Sequence, residues 1–266
     1  MKIISLLTDF GLRDGYAGVM KGVIWRIVPE NQIADISHNI SPQNVMEGAI
    51  AWGRTVPYFP DGSVHIGVID PGVGTQRRPI AAHLGRHYFV LPDNGLISII
   101  LDSAEKKDQP IEFVHLDNPK YWLSEISNVF HGRDIFSPVG AHLAEGIQLK
   151  ELGSPIDDPV RLEIPQPHIS PNSVRGEVIS IDNFGNLASN IMQSDLDGLG
   201  AVTVHIAGVE IHGLVNTFGE RPTGELIALF GTRADLLISI VNGNAAQYLK
   251  AHVGDMIEVV SKDIVD

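Results

Sequence analysis

The sequence predicts an α/β chain in two domains: a sandwich-like N-terminal α/β domain with a largely parallel sheet, residues 1–167, and a smaller C-terminal antiparallel β-barrel domain, residues 168–266. Three observations predict it. Through the first half, short runs rich in Ile and Val alternate with longer segments of helical period, the pattern of strands joined by helices over a parallel sheet. From Pro155 to Pro171 the prolines at 155, 159, 165, 167 and 171 interrupt every periodicity, which reads as an extended linker. Beyond it, short strands follow one another with Gly and Asn between them, as in a small barrel or sandwich.

The elements follow in order. Ile3 to Leu7 reads as a strand ending in the turn Thr8-Asp9-Phe10-Gly11. Tyr16 to Ile27 has helical spacing and stops near Pro29. Gln32 to Ile36 is a second strand, and Ser41-Pro42-Gln43-Asn44 offers an N-cap and a proline at the first helical position, with Val45 to Tyr58 continuing as a helix. Val64 to Ile69 is a third strand that runs into Asp70-Pro71-Gly72-Val73-Gly74-Thr75. Ile80 to Leu84 and His87 to Leu91 are further strands, followed by Asp93-Asn94-Gly95 and a helix from Leu96 to Ser103. In the second domain strands are expected at Arg175–Ile181, Val202–Ile206, Val209–Leu214, Leu226–Phe230, Leu236–Val241 and Met256–Val260.

Composition narrows the function. The 266 residues are 44% hydrophobic and 19% charged, a globular mix, and the formal charge of -13 repels a phosphate backbone where no basic run exceeds two residues. Nucleic-acid binding is excluded on that ground. No cysteine is present, which removes disulfides, thiolate zinc sites, Fe–S clusters and thiol nucleophiles together. The apolar start is shorter than the roughly 7 to 15 residues of a signal-peptide core. Nothing approaches the roughly 18 apolar residues of a membrane span. A soluble, cytoplasmic protein with no membrane partner is expected.

In an open parallel sheet ligands bind at the carboxyl ends of the strands, so Asp9, Asp70 and Asp93 stand out. Each also suits a turn, because Asp before Gly or Pro bonds its own backbone. Asp70 to Thr75 is glycine-rich but lacks the residues that define dinucleotide and P-loop motifs. Arg77 follows on the same loop, as a site residue or as a solvated arginine beside Arg78. Phe130-His131-Gly132-Arg133-Asp134 places three chemical groups ahead of a helical run. His131 and Asp134 have i, i+3 metal-ligand spacing, and His131 alone can serve as a base or a hydrogen-bond donor. Asp182-Asn183-Phe184-Gly185-Asn186 is a turn able to hold an adenine or ribose, and equally a plain hairpin signal.

Taken together, these segments resemble the S-adenosyl-L-methionine (SAM) hydroxide adenosyltransferases, the adenosine-forming SAM hydrolases related to the SAM-dependent fluorinase and chlorinase. The resemblance rests on Leu7-Thr8-Asp9-Phe10-Gly11, Asp35-Ile36-Ser37-His38, Val68 to Thr75, Pro92-Asp93-Asn94-Gly95, Phe130 to Asp134 and Ile181 to Asn186, and covers essentially the whole chain. It implies attack of water or hydroxide on C5′ of SAM, giving adenosine and L-methionine, with SAM as substrate and no cofactor or metal. It also implies a homotrimer with each site between one subunit's N-terminal domain and its neighbour's C-terminal domain.

Residue by residue, the resemblance assigns Asp70, Arg77 and His131 to the nucleophilic water, Asp9 to the ribose, Asn186 to the adenine and Asp182 to the methionine amino group. Phe184 and Phe218 would pack against the nucleoside, Thr232 and Arg233 would meet the methionine end, and the backbone at Ala245 would lie beside the adenine. Halogenating relatives carry tyrosine at the Asp70 position and an insertion after the region of Asp93 to Gly95, and this chain has neither. It departs from the family's Asn-Ser-x-Gly-Tyr-Leu-Glu segment, reading Gly231-Thr232-Arg233-Ala234-Asp235-Leu236-Leu237, with Leu237 in place of the Glu. A halogenase, a metal-dependent hydrolase using His131, Asp134 and Asp70, and a non-catalytic adenosine or SAM sensor are the competing functions.

Overall fold

The computed structural model describes residues 3–262. Contacts divide the chain between Glu163 and Ile164 into two compact units. The first unit holds strands β1 (Ile4–Thr8), β2 (Ile33–Ser37), β3 (Val64–Val68), β4 (Pro79–Leu84), β5 (His87–Pro92), β6 (Ile111–His115) and β7 (Ser154–Ile156). Its helices are α1 (Tyr16–Ile27), α2 (Val45–Thr55), α3 (Ser98–Lys106) and α4 (Ser137–Glu145).

The strands form one sheet in the order β2-β1-β3-β5-β4-β6-β7. The pairs β1 with β2, β1 with β3 and β3 with β5 are parallel, and only β4 and β7 run against the common direction. Every residue of β1 and β3 is buried, as central strands covered on both faces require. Ile4 and Leu6 of β1 pack with Met20 of α1 and Val139 of α4, whereas Leu7 packs with Trp52 of α2 and Leu101 of α3. The alternation of successive side chains thus builds a helix-sheet-helix sandwich with a core on each face. Gly67 is needed in β3 because a Cβ there would stand 2.4 Å from the ring of Trp52.

This topology positions a crevice. From β1 the chain crosses to β2 on one side, then returns to β3 on the other. Connections diverge at the carboxyl ends of β1 and β3, the place where open α/β sheets bind ligands.

Two expectations are corrected. Residues 155 to 162 are no free linker: Pro155 lies in β7, paired with β6, and Val160 N donates to Asp93 Oδ1 at 2.8 Å and Leu162 N to Ser98 Oγ at 2.8 Å. An edge strand tolerates a proline whose missing N–H would point outward, and the intervening amides find side-chain acceptors. Within the Ser41-to-Asn44 segment the cap of α2 is Asn44, whose Oδ1 accepts from Glu47 N at 3.0 Å, so Pro42 stands ahead of the helix and not at its first position. Gln43, at φ 65°, breaks any helix that starts earlier.

The second unit contains β8 (His168–Ser170), β9 (Ser173–Ile181), β10 (Leu187–Met192), β11 (Val202–Ile206), β12 (Val209–His212), β13 (Leu226–Phe230), β14 (Asp235–Ile240), α5 (Ala245–Leu249) and β15 (Met256–Ser261). The sheet order is β12-β11-β15-β9-β10-β14-β13, with β8 paired to β9, and every pairing is antiparallel. β12 and β13, at the two ends, come alongside each other, so the sheet is nearly a barrel around Val178, Leu187, Val204, Ile238 and Ile257. Among the described residues no helix is long and apolar enough to cross a membrane.

Candidate active site

At the carboxyl ends of β1 and β3 opens a cavity of about 280 Å³, lined in part by Asp9, Phe10, Asp70, Val129, Phe130 and His131. Three loops build it. After β3, Val73 N donates to Asp70 O at 3.2 Å and Thr75 Oγ1 to Gly72 O at 2.7 Å, which folds the loop back and brings Arg77 under Asp70. Gly74 is at φ 76°, and a Cβ there would sit 2.2 Å from Asn128 O, so only glycine lets this loop close on the 127–130 segment.

The side chains of Asp70 and Arg77 are 6% and 7% exposed. Arg77 Nε donates to Asp70 Oδ1 at 3.0 Å and its Nη2 to Oδ2, a two-bond fork. The face of Phe136 lies 5.3 Å from the guanidinium carbon, and Nη2 is 3.2 Å from His131 Nδ1. Asp70 and His131 therefore line the cavity while Arg77 joins them from behind. Burial, then the Arg77 charge, pushes the His131 pKa below the ordinary imidazole value, against the pull of Asp70 and Asp134.

His131 precedes a π-turn, Gly132–Phe136, that leads into α4; Ser137 Oγ donates to Gly132 O at 2.7 Å within that widened turn. Asp134 is fully buried and is no partner of His131: it accepts from Arg133 Nε at 2.5 Å and from Ser127 N at 2.8 Å, which pins the cavity wall. Among the described residues no three His, Asp or Glu side chains converge as metal ligands. Arg133 in turn covers the ring of Phe130 at 5.4 Å, and Phe130, Phe10 and Tyr16 meet edge to face with centroids 5.3 to 5.9 Å apart.

Asp9 is half-buried, and its Oδ2 accepts from Gln43 N at 2.7 Å. Its turn is fastened to the segment after β2: Thr8 Oγ1 lies 2.9 Å from His38 Nδ1, Gly11 N donates to His38 O at 2.7 Å, and His38 Nε2 is 3.1 Å from Asp35 Oδ1. That is the physical content of the Asp35-to-His38 motif. Asp93 has the bland role. It is buried against Arg78 Nε at 2.9 Å and Val160 N at 2.8 Å, while Asn94 Nδ2 ties the end of β3 through Ile69 O at 2.8 Å.

In the second unit, Asp182 Oδ1 accepts from Phe184 N and Asn186 N, both at 2.9 Å, and Asn186 Nδ2 donates to Asp182 Oδ2 at 2.7 Å. Gly185, at φ 83°, sits where a Cβ would meet Asn244 at 2.1 Å, and its carbonyl accepts from Ala246 N at 2.9 Å. The turn is thus braced on the start of α5, where Ala245 is buried, and holds Phe184 outward, 73% exposed. Phe218 is exposed in one connection, and Thr232 and Arg233 are exposed together on the turn between β13 and β14. Leu237 packs with Val215, Ile227 and Leu229, a setting in which a glutamate would lose its solvation.

Models of the SAM hydroxide adenosyltransferase N-terminal and C-terminal domains match residues 4–153 and 176–258. The chain belongs to this family. The (R)-S-adenosyl-L-methionine hydrolase of Salinispora arenicola is 34% identical over 260 residues, 97% of each chain. That of Thermus thermophilus is 34% identical over 257 residues, 94% of this chain and 96% of the relative. The fluorinase of Actinoplanes sp. is 28% identical over 225 residues, 74% of each. A solved structure of an uncharacterized conserved protein from Thermotoga maritima superposes with a TM-score of 0.89 at 34% identity, covering 97% of this chain and 100% of that one. Both family domains fall within the two units seen here, on either side of residue 163.

Sequence reasoning missed Gln43, whose exposed backbone amide holds Asp9, and Val129, which lines the cavity. A left-handed glutamine leaves no compositional mark, and Val129 reads as an ordinary apolar residue until the loop is folded.

Proposed function

We propose that the chain hydrolyses SAM to adenosine and L-methionine by attack of water on C5′. One observation carries the reading: Asp70 and His131 line a single cavity at the β1–β3 crevice and are joined by Arg77 behind them. A sulfonium is a good leaving group, so the site has to orient and partly desolvate a nucleophile and needs no Lewis acid at sulfur. Water donates to Asp70 and meets His131. The O–C5′ bond forms as C5′–S breaks, the electron pair stays on sulfur as neutral methionine, and the surplus proton leaves by way of Asp70. Asp9, with one oxygen held by Gln43 N, offers the other to the ribose hydroxyls.

Relatives named for the (R) sulfonium epimer support (R)-SAM as the preferred substrate. Asp182, Phe184, Asn186, Phe218, Thr232, Arg233 and the Ala245 backbone are assigned to the adenine and methionine ends, supplied by a neighbouring copy in a homotrimer. Exposed Leu12, Tyr16, Val19 and Val129 support that assembly, because they offer apolar surface that a second copy can cover. The chain is read as a cytoplasmic enzyme with no nucleic-acid or membrane partner.

The test incubates purified protein with each SAM epimer, with and without chloride, and identifies the products by mass. Adenosine and methionine in equal amounts, faster from the (R) epimer, are expected. 5′-Chloro-5′-deoxyadenosine would make the chain a halogenase, and bound nucleoside without methionine release would make it a sensor. Light scattering of the same sample checks the trimer.

A further inference from the structure

We propose that Arg77 acts on the nucleophile indirectly, by fixing His131 as the neutral tautomer with its proton on Nε2, so that His131 meets the cavity as a hydrogen-bond donor and never as the general base. The inference rests on the hydrolase reading only in naming water as what the Nε2–H meets.

The geometry is restrictive. A guanidinium has donors and no acceptor, and it stays charged at any working pH. With Arg77 Nη2 at 3.2 Å from His131 Nδ1, that nitrogen has to present its lone pair. Arg77 has no freedom to turn away: its Nε and Nη2 are committed to the two oxygens of Asp70, its face is against Phe136, and its side chain is 7% exposed. An imidazolium would point an N–H at a cation. The charged groups acting on His131 are Arg77, Asp70 and Asp134; burial and Arg77 outweigh the two carboxylates and favour the neutral ring.

The roles in the cavity then separate. Asp70 accepts from the water and His131 Nε2–H donates to it, so one lone pair of the water is occupied and another is directed at the carbon. Arg77 is a positioning residue shared by both: it orients the carboxylate by its fork and the imidazole by its remaining contact. Of the two roles the sequence leaves open at position 131, base and donor, this division favours the donor.

Two measurements test it. In ¹⁵N-histidine-labelled protein, long-range ¹H–¹⁵N spectra distinguish protonated from unprotonated ring nitrogens, and His131 is assigned by its loss in His131→Gln. At pH 7, Nε2 should carry the proton and Nδ1 none; in Arg77→Gln, His131 should show mixed tautomers and titrate at higher pH. A proton on Nδ1 of the parent, or an imidazolium at pH 7, overturns the proposal.

The second measurement is turnover. A glutamine amide offers an acceptor beside a donor, the same polarity as this tautomer, but no basicity. His131→Gln should keep turnover within about tenfold of the parent while His131→Ala loses roughly 10²- to 10⁴-fold. Equal loss in both variants, with adenosine binding intact in both, overturns the donor role. A parent with no SAM turnover would overturn the hydrolase reading alone, because the tautomer is read without substrate.

Discussion

Arg77 and Arg78 are neighbours, and each meets a carboxylate that ends a strand, yet they serve different ends. Arg77 holds Asp70 with both partners' side chains almost fully buried, and Asp70 still lines a cavity. Arg78 holds Asp93, whose other oxygen accepts from Val160 N, and reaches out to Asp158 at 2.7 Å. In the first pair the carboxylate keeps accepting capacity toward open space. In the second, the chain itself closes over the carboxylate. The residue types are the same, so the identity of a site is decided by which lone pairs the fold leaves unspent.

Asp70→Asn should break this comparison most visibly. It removes the negative charge that the proposed hydrolysis assigns to the water's proton while keeping the side chain's shape, and on that proposal methionine release should fall by roughly 10²- to 10⁴-fold. Adenosine affinity, read by calorimetry, should change little. A variant that turns over like the parent would end the assignment of Asp70 to the water.

Asp93→Asn is the mirror experiment. Arg78 keeps Asp158, so the loss is that of the charge-assisted bonds to the buried Asp93 carboxylate, and unfolding free energy should drop by about 2 kcal/mol in urea titrations. Turnover per folded molecule should stay near the parent's, because Asp93 does not line the cavity. If turnover collapses and stability does not, the two pairs have been told apart the wrong way round.

Acid sharpens the contrast from another side. His65 is fully buried, and burial, followed by repulsion from His87, lowers its pKa to about 3. Burial also lowers that of His87, with Arg86 and His83 adding to the effect and Asp61 opposing it. Well above pH 6.5 both rings are neutral in the folded and unfolded chain alike. As pH falls below 6.5 the unfolded chain takes up protons that the folded one refuses, so stability is lost on acidification, toward about pH 3 for His65. Each such histidine contributes a slope of up to about 1.4 kcal/mol per pH unit. Urea midpoints should therefore fall between pH 6.5 and 5, before ordinary carboxylates titrate near roughly pH 4. His65→Leu should flatten that slope whatever it does to absolute stability; an unchanged slope would rule out His65 as its source.

How much of this was legible beforehand follows the same physics. β1 and β3, buried throughout, announce themselves as apolar runs, and the strand-end aspartates follow from the topology. β6 was not foreseen, because Ile111 and Glu112 are exposed and only Phe113 and Val114 are buried, too short a pattern to mark a strand. The proline stretch misled because composition reports the stiffness of a segment and not whether side chains such as Asp93 and Ser98 catch its amides. Within the site, residue types and order were readable. That the chain closes over Asp93 and that Gln43 holds Asp9 depend on single backbone hydrogen bonds, which no periodicity encodes.

The smallest effect expected is also the cleanest control. Asp158 pairs with the same guanidinium as Asp93, and that hydrogen bond holds its carboxyl below the usual range. Its side chain, however, is 71% exposed. Water and salt screen an exposed pair, and the ordering of two side chains offsets most of what remains. Asp158→Ala should leave the urea midpoint within experimental error and turnover unchanged, at low and at high salt. Arg78 would still be held by Asp93, so the comparison between the two arginines does not lean on this outer contact. A midpoint shift as large as that of Asp93→Asn would mean that Asp158 and Asp93 act as one network on Arg78, and the clamp would then have to be redrawn to include the 157–160 backbone, where Arg78 Nη2 also donates to Asp158 O at 2.8 Å.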